Sequence, residues 1–122
     1  MSDGRLAEII KTNPKMLSLN QMFRVARLYP EGSEEFNATI QTALRFYADD
    51  PVANANAAVA ALKAGRYDEA GTLLDKAGDL PEAENARGVL ATYRGDYESA
   101  VRHFKKAGSL PEAQKNKALV EE

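Results

Sequence analysis

The one histidine, His103, stands among Arg102, Phe104 and Lys105. Histidine is the usual starting point for acid–base chemistry near neutral pH. Here it has no second histidine beside it, so a histidine-based metal site would need carboxylates to complete it. Neither an H-E-x-x-H helix nor a Gly-rich phosphate loop is present. There is no cysteine, which excludes thiolate catalysis, disulfides and cysteine-ligated metals. His103 is therefore read as an exposed or half-buried helix residue next to a packing phenylalanine. Glu34-Glu35 and Asp49-Asp50 are paired carboxylates, but both pairs fall at predicted helix starts, where acidic groups complement the dipole. Acid–base work would require one of them to be buried, and nothing in the pattern asks for that. The expectation is a non-enzyme with no catalytic residue, no cofactor and no metal.

Charge narrows the partners. The 16 basic and 18 acidic residues leave a net charge of −2, too balanced for binding built on phosphate neutralisation, so nucleic acid is not expected. Arg102, Lys105, Lys106, Lys115 and Lys117 give one end a mild basic bias, read as a solvated helix face or as a surface for an acidic peptide. No apolar run reaches the ~18 residues a membrane-spanning helix needs. The opening MSDGRLAEIIKTNP has no long apolar stretch or small-residue cleavage site, so no signal peptide is expected here.

The elements that position these residues follow from a repeat. KAGDLPEA, at 76–83, returns as KAGSLPEA at 106–113 with seven of eight residues unchanged. Residues 51–80 aligned with 81–110 agree at Pro51/Pro81, Ala53/Ala83, Val59/Val89, Ala61/Ala91, Gly65/Gly95, Tyr67/Tyr97, Ala70/Ala100, Lys76/Lys106, Ala77/Ala107, Gly78/Gly108 and Leu80/Leu110, eleven of 30 positions. A third copy, PEAQKNKALVEE, covers half a unit. A fixed period of this size signals stacked supersecondary units. Within each unit Asp50 and Pro51 suit a helix start, and Gly65 suits its stop. A second helix is expected from about Tyr67 to Ala77, with Tyr67, Ala70, Leu73, Leu74 and Ala77 on one face. Tyr97, Ala100, Val101, Phe104 and Ala107 repeat that face. The phrase KAG-x-LPEA is thus a helix stop joined to a helix start: lysine in the last turn, glycine as cap, proline and glutamate opening the next helix.

The pattern Gly95-Asp96-Tyr97, Ala100, Phe104 and Ala107, with Gly88 and Asn56 on first helices, resembles the tetratricopeptide repeat. The resemblance covers residues 51–122. It departs from the family in its period of 30 rather than 34, in lacking an early large aromatic, and in placing Arg87 where leucine is usual. Ala53, Ala55, Ala57, Ala58 and Ala61 would instead let the first helices approach closely. The resemblance implies a groove lined by first-helix residues: Ala55, Val59, Leu62 and Lys63, then Asn85, Val89, Thr92 and Tyr93, then Lys115 and Leu119. Of these, Val59, Lys63, Asn85, Val89, Thr92, Tyr93 and Lys115 are the candidate partner-binding residues. Tyr93 has an alternative reading as a packing aromatic. Asn54, Asn56, Asn85 and Asn116 are poor helix formers placed on first helices. They are read as packing residues or as groove polar groups.

Upstream, Ser18-Leu-Asn-Gln21 fits a capping box leading into a helix through Tyr29. Ser33 caps a further helix bearing Phe36, Ile40, Leu44 and Tyr47, and residues 4–12 add a short helix or stay mobile. The block 18–62 is also similar to the C-terminal helical-repeat region of exported, outer-membrane-associated proteins of gut anaerobes. That similarity implies a piece of a larger envelope protein, periplasmic or at the outer membrane.

The expected fold is all-α: a right-handed stack of antiparallel helix pairs, a TPR-like α-solenoid of about seven helices. It forms one domain, with an N-terminal segment 1–17, a diverged repeat 18–50, repeats 51–80 and 81–110, and a half-repeat 111–122. The expected function is a protein–protein interaction module binding a peptide or helix of a partner. The alternative is a structural spacer or self-association element, with a homodimer as its simplest form.

Overall fold

Helix starts in this chain are made by side chains that accept otherwise unpaired backbone N–H groups. In the computed structural model, which describes residues 2–121, Ser2, Ser18, Ser33, Asp50 and Asp96 all serve this way. Ser18 Oγ accepts from Gln21 N at 3.2 Å, while Gln21 Oε1 accepts from Ser18 N at 2.9 Å, the reciprocal bond the sequence predicts. Met1 and Glu122, the two ends of the sequence reading, lie outside the described residues.

Among the described residues there are eight α-helices and no strand, and the chain is 74% helical. They are α1 (Asp3–Thr12), α2 (Leu19–Ala26), α3 (Glu34–Phe46), α4 (Pro51–Lys63), α5 (Tyr67–Leu74), α6 (Pro81–Tyr93), α7 (Tyr97–Lys106) and α8 (Pro111–Glu121), with a short 3-10 turn at Pro14–Met16. The count exceeds the expected seven by α1. Leu6 and Ile9 bury one face of it against the rest of the N-terminal core, and Arg24 Nε meets Asp3 Oδ1 at 2.6 Å.

Two helices are shorter than the sequence predicts. α2 stops at Ala26 rather than Tyr29, and α5 stops at Leu74 rather than Ala77. In both, the last turn tightens to three-residue bonds: Leu28 N to Val25 O and Tyr29 N to Ala26 O, then Lys76 N to Leu73 O and Ala77 N to Leu74 O. First helices of 13 residues alternate with second helices of 8 and 10, which is how each pair fits a period of 30.

The turns inside each pair are matched. Gly65 and Gly95 both have φ of +79°, a left-handed backbone open to glycine at no steric cost. Arg66 N then reaches back to Ala61 O at 2.8 Å, and Asp96 N to Ala91 O at 2.9 Å. Gly65 N and Gly95 N bond to Leu62 O and Thr92 O, completing a Schellman stop in each.

Packing runs between chain neighbours, and α4 also packs on α6 and α6 on α8. The core is divided. The N-terminal part is built from Leu6, Leu17, Met22, Phe23, Val25 and Ile40. The middle part is mostly alanine, with Ala55, Ala58, Ala61, Ala70, Ala77, Ala83 and Ala86 around Leu62, Leu74 and Leu90. A third cluster centres on Phe104 with Ala100, Ala107 and Ala113. Alanine brings helix backbones close and gives up side-chain volume in exchange for many short contacts. α8 differs from α4 and α6 at two positions of the 30-residue register. Ala57 and Ala61 on α4 become Arg87 and Ala91 on α6, then Lys117 and Glu121 on α8, where those two pair at 2.8 Å.

Candidate functional site

The parallel first helices α4, α6 and α8 place residues 30 apart in sequence side by side. Val59, Val89 and Leu119 occupy one such position, Lys63 and Tyr93 another. Two hollows open along this face. One, of about 200 Å³, is lined by Glu31, Gly32, Phe36, Asn37, Asn56, Val59, Ala60, Lys63 and Ala64. The other, of about 230 Å³, is lined by Val89, Thr92, Tyr93, Phe104, Asn116, Leu119 and Val120, and is largely apolar.

Five of the seven residues expected to line a groove therefore line a hollow: Val59 and Lys63 in the first, Val89, Thr92 and Tyr93 in the second. Asn85 and Lys115 line neither. Asn85 is half-buried, and its Oδ1 accepts a bond from Asn116 Nδ2 at 3.2 Å, tying α6 to α8. Lys115 is exposed. Ala55 and Leu62, which the resemblance placed in the groove, are buried in the middle core, because close helix approach closes over small side chains. Leu119 is 58% exposed at the rim of the second hollow.

Tyr93 both packs and stays exposed. Its ring stacks on Tyr67 with centroids 4.9 Å apart, and it is still 60% exposed. Lys63 carries a charge already matched, with Nζ 2.8 Å from Glu31 Oε1. The asparagines divide. Asn54 is buried and donates to Ala48 O and Asp50 O at 2.8 and 2.9 Å, a purely internal role. Asn56 and Asn116 each line a hollow.

Sequence reasoning misses Glu31, Phe36 and Asn37, which reach the first hollow from the turn before α3 and from α3 itself. The serine cap at Ser33 showed that a helix begins there, but no periodicity says which face of it meets α4. The largest described hollow, about 500 Å³, lies at the other end of the chain, among α1, α3 and Tyr29.

A separate polar cluster sits on α6 and α7. Glu84 is 6% exposed, and its two oxygens are taken by Arg87 Nη1 at 3.0 Å and His103 Nδ1 at 2.8 Å. With a carboxylate as acceptor, His103 Nδ1 carries the proton. Arg87 Nη2 also donates to Leu74 O at 2.6 Å, at the end of α5. Arg87 thus ties α6 to α5, and Glu84 ties α6 to α7. The Asp96 carboxyl is held below its ordinary value of 3.8 by hydrogen bonds from the Ser99 side chain and then from the Ser99 backbone N–H, with weaker help from Arg102 and His103. Among the described residues no three His, Asp or Glu side chains are placed to hold a metal. Nor is any helix long and apolar enough to cross a membrane.

A scan against protein-family models finds no match, and a search of curated proteins finds none either.

Proposed function

We propose that the chain is a non-enzymatic protein-interaction module of the tetratricopeptide kind, binding a peptide or helix across the face of α4, α6 and α8. The observation that carries this reading is the placement of Val59, Lys63, Val89, Thr92 and Tyr93 around two hollows on one face of three parallel helices. Stacked helix pairs present extended surfaces, and such surfaces bind segments that supply side chains to successive pockets. Lining that is apolar apart from three amides, two hydroxyls and the paired charges of Lys63 and Glu31 suits side-chain capture more than chemistry. The buried carboxylate adds weight. Glu84 is held on both oxygens by cationic or N–H groups, the geometry of a structural tie rather than of a proton donor awaiting substrate.

The test is affinity capture from native cell-envelope and soluble extracts, read by mass spectrometry, with a Val89→Glu/Leu119→Glu variant in parallel. One protein enriched by the wild type, saturable, and lost with the variant is the expected result. Equal enrichment by both would overturn the reading of this face. Exposed Tyr93 and Leu119 also favour a second reading, association of two copies through the same face. Light scattering over a concentration series tests it, and a monomer at every concentration ends it.

A further inference from the structure

The two complete repeats pose a pairing problem. α4 and α6 are related by 30 residues, and so are α5 and α7, so each second helix has two similar seats in one chain and two more in any neighbouring copy. Near-identical units are prone to exchange equivalent elements, most of all across short hinges. The hinge here is short: only Arg94, Gly95 and Asp96 separate α6 from α7. We propose that two sets of residues on α6 and α7 form a pairing key that seats α7 on an α6 and keeps it off any α4, so that the two repeats do not trade second helices.

The first part of the key is shape. Phe104 is buried against Gly88, and a Cβ placed on residue 88 would lie 2.3 Å from Phe104 Cε1. The matching pair one repeat earlier is Ala58 with Leu74, both buried. Seated on α4, the Phe104 ring would collide with the Ala58 methyl. Seated on α6, Leu74 would leave the space above Gly88 unfilled. A mismatch of either sign is unfavourable in a close-packed interior.

The second part is polar. Glu84, Arg87 and His103 correspond to Asn54, Ala57 and Leu73 in the earlier repeat. α5 on α6 would put Leu73 where His103 stands, and a buried carboxylate oxygen would lose its partner. α7 on α4 would set the imidazole against Asn54, whose amide nitrogen is already committed to backbone carbonyls, with no carboxylate to receive its N–H. Arg87, on the same helix as Glu84, would still hold the other oxygen, but a buried acceptor left without its bond is unfavourable, whereas the intact group adds little over apolar packing, so the group discriminates more than it stabilises. Asn54 shows what the position does without the key: it bonds only to backbone carbonyls of its own helix start, at Ala48 and Asp50.

The chain supplies its own test, because the keyless chemistry already exists in the earlier repeat. A variant carrying Glu84→Asn, Arg87→Ala, Gly88→Ala, His103→Leu and Phe104→Leu gives α6 and α7 the residues of α4 and α5. The readouts are circular dichroism, light scattering of size-separated species, and the number of backbone amide resonances. The expected result is retained helix with a dimer that survives dilution, because undoing an exchange requires α7 to leave its seat. The exchanged fraction rises about tenfold or more over wild type, the change produced by about 1.4 kcal/mol of lost preference. A helical variant that stays monomeric with one set of resonances overturns the proposal. Should the variant lose its helix, the triple Glu84→Asn/Arg87→Ala/His103→Leu, which leaves the Gly88–Phe104 contact intact, is judged by the same criterion. Loss of helix in the triple as well would mean that these residues stabilise the pair instead of choosing it, and overturns the proposal too.

Discussion

The N-terminal helices and the two repeats solve the same packing problem by opposite means. α1 to α3 hold together through large side chains, with Leu6, Met22 and Val25 fully enclosed. α4 to α6 hold together through alanine, and one phenylalanine anchors α7. The first arrangement tolerates an irregular connection, such as the long turn between α2 and α3, because side chains fill whatever gap the backbones leave. The second demands close, regular backbones and therefore repeats. The hollow lined by Glu31, Phe36 and Val59 lies where the two arrangements meet, with α2 not packed along α4 as α4 is along α6.

If this contrast is right, truncation should hurt the first region and enlargement the second. Met22→Ala should cost about 2–5 kcal/mol, by transfer plus the cavity left behind, measured as a shift in the urea midpoint. A loss near zero would mean that the N-terminal core collapses freely and is not set by side-chain volume. In the repeats, Gly88→Ala should cost about 1–3 kcal/mol, although one methyl is added and glycine is the poorer helix former. Adding Phe104→Leu should recover most of that loss, since the earlier repeat carries the same pair as Ala58 and Leu74. Failure of the double variant to recover would show that the two repeats are not equivalent in backbone spacing.

Smaller effects sharpen the same division. Gly95→Val should cost about 1–2 kcal/mol, because a β-branched residue resists the left-handed backbone, even though nothing crowds its Cβ. Lys63→Ala removes only an exposed ion pair, so its cost should stay below about 1 kcal/mol. If the order of these two were reversed, the Schellman turns would not be what ends the first helices. The smallest effect is a pH dependence. Asp96 titrates below its ordinary 3.8 in the folded chain, so its contribution is complete above that value and disappears as pH falls through the lowered one. Between about pH 5 and about pH 2, wild type should therefore lose more stability than Asp96→Asn, whose cap cannot titrate. Parallel curves would remove Asp96 from the account of how α7 starts.

Much of the architecture was legible in the residues themselves. The 30-residue period located five of the eight described helices, and Gly65, Gly95, Ser18, Ser33 and Asp50 act as the stops and starts their types imply. These are local matters, settled by backbone conformation and by which N–H groups lack partners, so a short stretch of sequence carries them. The face of the candidate site was half legible. The resemblance placed Val59 and Val89 in a groove and helical spacing put Asn85, Val89, Thr92 and Tyr93 on one stripe, but neither could tell an exposed stripe from one a neighbouring helix covers. Ala55 and Leu62 went inward, and Phe36 and Glu31 arrived from a part of the chain outside the repeat.

The sequence by itself determined the helices, their pairing order and the absence of thiol chemistry, because propensity, capping and composition act within a few residues. Only the tertiary structure decided that Glu84 is buried, that His103 and Arg87 share it, and that Phe104 needs a glycine opposite. The Phe104–Gly88 and His103–Glu84 contacts join residues 16 and 19 positions apart on different helices, and only backbone spacing in three dimensions sets whether they touch.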